Sequence, residues 1–203
     1  MAQFNVGMKV LRSGNPLVRS VGLILLGAAI LFAAWTLSYR ALPERILEGK
    51  SGVYYVPIRT DETNTTFIRI LLWNLALGCI PLALANLISI RGLPLGYALS
   101  SYHWAMYGIL LGTNSFVIPG PGRFLPSITT LLNGTGVYEI AAYSLIAAAT
   151  YYLHQREKEA SARPAKTSRW SLLKPSRGES ALIALAVTLL AASNYLEAWR
   201  MFH

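Results

Sequence analysis

Five apolar runs separated by short polar connectors dominate the chain: Val21 to Tyr39, Phe67 to Ile90, Tyr97 to Leu111, about 135–153, and Glu179 to Trp199. A helix needs roughly 20 apolar residues to cross a bilayer, and these runs are of that order. The pattern predicts an all-α, polytopic membrane helix bundle with five transmembrane helices. Tyr97 to Leu111 is the least apolar run and holds Ser100, Ser101 and His103. It is expected to face other helices or a cavity rather than lipid. Asn74 and Pro81 interrupt the second run, and Pro81 is expected to bend that helix while its neighbours satisfy the freed carbonyl.

The connectors differ in kind. Residues 40–66 are polar and balanced in charge, with Arg40, Arg45, Lys50 and Arg59 against Glu44, Glu48, Asp61 and Glu62. Arg91-Gly92-Leu-Pro-Leu-Gly96 reads as a tight turn or a broken helix start. Residues 112–133 contain Pro119-Gly-Pro-Gly122, which regular helix excludes. Phe124 to Leu132 then alternates apolar and hydroxyl residues and predicts a short interfacial or re-entrant helix.

Composition agrees with a membrane protein. Of 203 residues, 54% are hydrophobic and 13% charged, about half the charge of a soluble domain. The net charge of +9 is informative by position rather than in sum. Lys9, Arg12 and Arg19 precede the first run, and residues 154–177 carry Arg156, Lys158, Arg163, Lys166, Arg169, Lys174 and Arg177. Short basic loops stay in the cytoplasm. Five spans put both basic segments on that side, with the N-terminus inside and residues 40–66 and 112–133 outside. A basic head before an apolar run can be a cleaved signal peptide. This run exceeds a signal core and lacks a small-x-small site before Leu37-Ser-Tyr-Arg40, so it reads as a retained anchor.

The whole chain, 1–203, is expected to form one transmembrane domain, with an anchor helix and outer loop in 1–65 and the bundle core in 66–200. The expected location is a prokaryotic plasma (inner) membrane. The basic loop reads as an inside anchor for anionic lipid rather than a nucleic-acid site. Cys79 is the single cysteine, so an intramolecular disulfide is excluded.

Glu139 is the first candidate for chemistry. It follows Asn133-Gly-Thr-Gly-Val-Tyr and enters the fourth apolar run from the outer side. A carboxylate inside a span is costly and by default a functional hypothesis. Glu197 lies near the outer end of the fifth run, at comparable depth. If the two helices pack together, the carboxyl groups can share a proton or face a common cation. The competing reading has each one capping a helix, pairing with Arg or Tyr, or lying at the interface. His103 is either a hydrogen-bonding strut or a proton carrier, and Asn74 is expected to bond between helices. The three histidines lack metal-ligand spacing, no nucleophile or phosphate-loop motif occurs, and no cofactor is implied.

Four segments together resemble the stage II sporulation protein M family of integral membrane proteins. They are Arg91-Gly92-Leu-Pro-Leu-Gly96, Thr135-Gly136-Val-Tyr-Glu139-Ile-Ala141-Ala142, Leu196-Glu197-Ala198-Trp199, and Phe67 to Asn74. The resemblance covers about 66–200, with Thr135 standing where the family has a histidine. It implies a role carried by Gly136 and the glutamates, with other integral membrane proteins as partners in a homo- or hetero-oligomer. The expected function is a non-enzymatic membrane subunit or scaffold, with Glu139 as a helix-end lock. The alternative is a transporter or channel component using Glu139, Glu197 and His103.

Overall fold

The computed structural model describes residues 7, 9–48, 62–90, 92–116, 122–154 and 174–203. Helix α1 (Pro16–Ala41) begins five residues earlier than its apolar run. Asn15 caps it, its side chain accepting from Leu17 N–H at 2.9 Å, and Pro16 occupies the first turn. Proline is tolerated there because that N–H has no intrahelical partner.

Helix α2 (Thr63–Ala85) contains a π-helical stretch at Asn74–Cys79 immediately before Pro81. The Ile80 N–H reaches back to the Leu75 carbonyl. The extra residue in this turn takes up the strain that a proline ring places on the carbonyl four residues before it. Helix α2 ends at Ala85 rather than Ile90, because a two-residue antiparallel hairpin follows, β1 (Ser89–Ile90) against β2 (Leu93–Pro94). Its turn holds Gly92 at φ 77°, a conformation that favours glycine.

Helix α3 (Leu95–Thr113) stops at Asn114, whose left-handed conformation ends the helix. Helix α4 (Ile128–Asn133) is a six-residue piece capped by Ser127. Helix α5 (Gly136–Ala149) follows directly, and Thr150 leaves helical geometry. Helix α6 (Arg177–Arg200) opens with a capping box in which Ser176 and Glu179 bond each other's backbone N–H.

Helices α1, α2 and α6 are long and apolar enough to cross a membrane. Within their most apolar windows only 28%, 22% and 33% of residues are buried. Leu25, Leu72, Leu84 and Leu185 accordingly point outward. Helix α5 is the reverse. It has 14 residues, touches α1, α2, α3 and α6, and buries Ala142, Ala147, Ala148 and Ala149 completely. Small side chains of this kind let helix backbones approach where no hydrophobic effect drives them together.

The most extensive contact is between α1 and α3. Gly108 and Gly112, one turn apart on α3, lie directly on the α1 backbone. A Cβ on Gly108 would fall 2.5 Å from the Leu31 carbonyl oxygen, and one on Gly112 would fall 2.7 Å from that of Trp35. The segment after α3 folds back over this pair. Trp35 Nε1 donates to the Phe124 carbonyl at 2.8 Å, although Trp35 sits well inside α1. Phe124 to Leu132, expected as a short helix, contains the start of α4, and Arg123 and Phe124 before it bond to α1 and α3.

Candidate functional site

Helix periodicity decides which side chains can meet. On α5, Glu139 and Tyr143 are four residues apart and share a face. On α6, Asn194 and Glu197 are three apart and share a face. Helices α5 and α6 pack against each other, and the carboxyl groups of Glu139 and Glu197 come within interaction range between them.

Tyr107 of α3 approaches both carboxyl groups. Its ring lies across the start of α5, where a Cβ on Gly136 would stand 2.5 Å from a ring carbon. Gly136 therefore serves the site by admitting Tyr107. This end of the bundle closes with Arg200 Nη1 donating to the Asn133 carbonyl at 2.8 Å and Tyr138 Oη donating to the Leu132 carbonyl at 2.9 Å. Oε1 of Glu139 is buried without a hydrogen-bond partner.

One turn further in, Tyr143 Oη donates to Asn74 Oδ1 at 2.9 Å, and Asn74 Nδ2 donates to Asn194 Oδ1 at 3.1 Å. Three helices are joined by that chain. Asn74 opens the π-helical stretch, and Gly78 within it makes room for the Tyr143 ring. The His103 ring stands edge-on to Tyr143 at 5.1 Å, and its Nδ1 bonds the Leu99 carbonyl at 2.7 Å. A carbonyl only accepts, so Nδ1 carries the proton. Asn194 is fully buried and its Nδ2 has no partner.

Below this layer the polar groups are consumed by each other. Ser144 Oγ meets Ser100 Oγ at 2.9 Å and accepts from Trp104 Nε1 at 2.8 Å. Asn86 Nδ2 donates to the Ala147 carbonyl and to Thr150 Oγ1. At the far end Arg19, 1% exposed, pairs with Glu179 at 3.4 Å. Its guanidinium also donates to the carbonyls of Ser13, Gly14 and Ala148 and lies 4.8 Å above the Tyr151 ring.

Glu139, Glu197, His103, Asn74 and Gly136, the five positions singled out from sequence within or beside the apolar runs, thus gather around the N-terminal half of α5. Tyr107, Tyr143 and Asn194 complete the group. Tyr143 and Asn194 are helical neighbours of the two glutamates, so periodicity was the signal that could have found them. The Arg19–Glu179 pair had no comparable signal, since Arg19 reads as topology charge and Glu179 as a helix start. Within the basic loop Lys174 and Arg177 are exposed, and Arg156, Lys158, Arg163, Lys166 and Arg169 lie outside the described residues. Among the described residues no three His, Cys, Asp or Glu side chains are grouped to hold a metal ion.

Two chemical capacities follow. The chain Tyr143–Asn74–Asn194 ties α2, α5 and α6 together, and the carboxyl pair can hold a proton between α5 and α6. Comparison with family models, with characterised proteins and with solved structures finds no match for this chain.

Proposed function

We propose that this chain is a five-span integral membrane protein of a prokaryotic plasma membrane, with its N-terminus inside, acting as a non-enzymatic subunit or scaffold among other membrane proteins. The observation that carries this reading is the inversion of polarity between inside and outside. The long helices turn leucines outward, while Ser, Asn, Thr, Trp and Arg side chains bond to one another within the bundle. An exterior of this kind is covered by lipid or by helices of other proteins. Helices α3 and α5 complete the five spans as interior elements, short because their neighbours shield them.

The N-terminus is assigned inside from the basic residues around Arg12 and those of 154–177. Membership of the stage II sporulation protein M family is part of the same proposal. It is favoured by the convergence of the motif residues Gly136, Glu139 and Glu197 on one seam, where the carboxyl pair locks the outer ends of α5 and α6. A transport role for the same residues is the second reading, favoured by the unpartnered Oε1 of Glu139.

Purification from native membrane in mild detergent tests the first reading. Partners should co-purify; extraction as a lone monomer would count against it. Topology is tested in a Cys79→Ala background with single cysteines at Lys174 and Asn133. An impermeant maleimide should label position 133 alone in intact cells. Flux in liposomes that is abolished by Glu139→Gln would favour the second reading.

A further inference from the structure

We propose that Glu139 and Glu197 form a proton-binding site, one proton shared between two carboxyl groups, connected inward through Asn194 and Asn74 to Tyr143. The inference rests on the membrane reading above and concerns the occupancy of the site, whether or not anything is transported.

Three observations point to it. First, Glu139 and Glu197 stand on the packed helices α5 and α6, at the end where Arg200 of α6 reaches the Asn133 carbonyl just before α5, and their carboxyl groups come within interaction range of each other. Two ionised carboxylates in that position would repel each other with little water to screen them. One proton converts the repulsion into a hydrogen bond. Second, the groups that face the pair are poor counter-ions. Tyr107 from α3 is a neutral phenol, Asn74 from α2 and Asn194 from α6 are amides, and Tyr143 and His103 are tied into the layer below. Arg200, one turn further along α6, is engaged with the Asn133 carbonyl.

The third observation is a pair of buried polar atoms left without partners. Asn194 is fully buried, and its Nδ2 donor has no acceptor. It lies one turn from Glu197 on the same helix face, a rise of roughly 5 Å. Glu139 Oε1 is a buried acceptor without a donor at the same seam. One hydrogen-bonding bridge, a water molecule or its protonated form, would satisfy that donor and that acceptor together. That bridge connects the pair to the Asn194–Asn74–Tyr143 chain.

A proton also suits the donor set better than a metal ion does. The pair supplies two carboxyl groups, and of its neighbours Tyr143 Oη, the Asn74 amide and Asn194 Oδ1 are already bonded to one another.

The experiment is infrared difference spectroscopy on the purified protein in liposomes, between acidic and alkaline buffer and between H2O and D2O. The wild type should show a carboxylic-acid carbonyl band at neutral pH that shifts on deuteration. Glu139→Gln and Glu197→Gln should each shift its frequency, because the surviving carboxyl group loses the partner that shares its proton, and the double variant should remove it. Absence of the band in the wild type, an unshifted band in either single variant, or survival of the band in the double variant overturns the proposal.

Should a variant fail to fold, dicyclohexylcarbodiimide decides the matter on the unaltered protein. This apolar reagent attacks a protonated carboxyl group and leaves a stable N-acylurea. Labelling should fall on the peptides of Glu139 or Glu197 and spare Glu179, which is paired with Arg19. No label on either glutamate, or protection by added Na+, K+ or Ca2+ at constant pH, overturns it. Loss of the band would leave the subunit role standing, and a lone monomer on purification would leave the band untouched.

Discussion

Arg19 and Glu179, 160 positions apart, meet at 3.4 Å with their side chains almost wholly shielded from solvent. The pair joins the first turns of α1 and α6, and the arginine also holds the end of α5 through the Ala148 carbonyl. Removing one partner of a buried ion pair strands the other charge, a loss of about 3–5 kcal/mol. Arg19→Ala should therefore unfold at markedly lower denaturant than the parent. Arg19→Met combined with Glu179→Gln should recover much of the loss, since no buried charge is left and glutamine can still serve the capping box. Stability of the detergent-purified single and double variants checks this, and additive losses would contradict it.

Gly108 offers a sharper steric test. Its missing Cβ leaves room for the α1 backbone at Leu31, and backbone cannot rotate aside as a side chain can. Gly108→Ala should cost about 1–3 kcal/mol by overpacking. Gly122→Ala, where nothing lies within 4 Å, should be close to neutral. Thermal unfolding of both variants side by side makes the comparison.

The helical class, the long apolar helices α1, α2 and α6, and the end of the bundle where the glutamates gather were legible in the sequence. Apolar run length marks those three helices, and helices that alternate in direction bring Glu139 and Glu197 to one end. Boundaries were less legible, because caps and turns set them rather than hydropathy. Asn15 and Pro16 start α1 before its apolar run, and the 89–94 hairpin removes the last residues assigned to α2. Pro81 was visible, but its accommodation by a π-helical stretch depends on room for Asn74 and Gly78 against Tyr143. Arg19 and Arg123 bond largely to main-chain carbonyls, which leave no trace in side-chain patterns.

Asn74 is the middle of a three-helix chain, so its loss has a coupled signature. Asn74→Ala removes the acceptor that Tyr143 Oη uses and the donor that Asn194 Oδ1 uses together. Interhelical hydrogen bonds in membranes average about 0.6 kcal/mol and reach about 1.7. The Asn74→Ala and Asn194→Ala cycle should show coupling in that range. An Asn74→Ala cycle with Asn86→Ala, which bonds elsewhere on α5 at Ala147 and Thr150, should show none. Equal coupling in both cycles would mean that the chain is not a distinct unit.

Arg123 closes the other end of the α1–α3 contact. Its Nε donates to the Gly112 carbonyl and its Nη2 to the Ser38 carbonyl, each at 2.9 Å, and Nη2 also bonds the Tyr39 carbonyl. These are last-turn carbonyls of two helices, the negative ends of both helix dipoles. The guanidinium also sits 4.7 Å over the Tyr39 ring. A hydrogen bond to a charged group is worth about 1.5–3 kcal/mol, so Arg123→Met should destabilise the protein by about 2 kcal/mol. Arg123→Lys should restore little, because an ammonium cannot span three carbonyls as the planar guanidinium does. Hydrogen exchange should locate the effect, with faster exchange at 36–41 and 108–113 and no change at the start of α6. Uniform acceleration across the bundle would show instead that Arg123 supports the fold as a whole and not the clamp at this end.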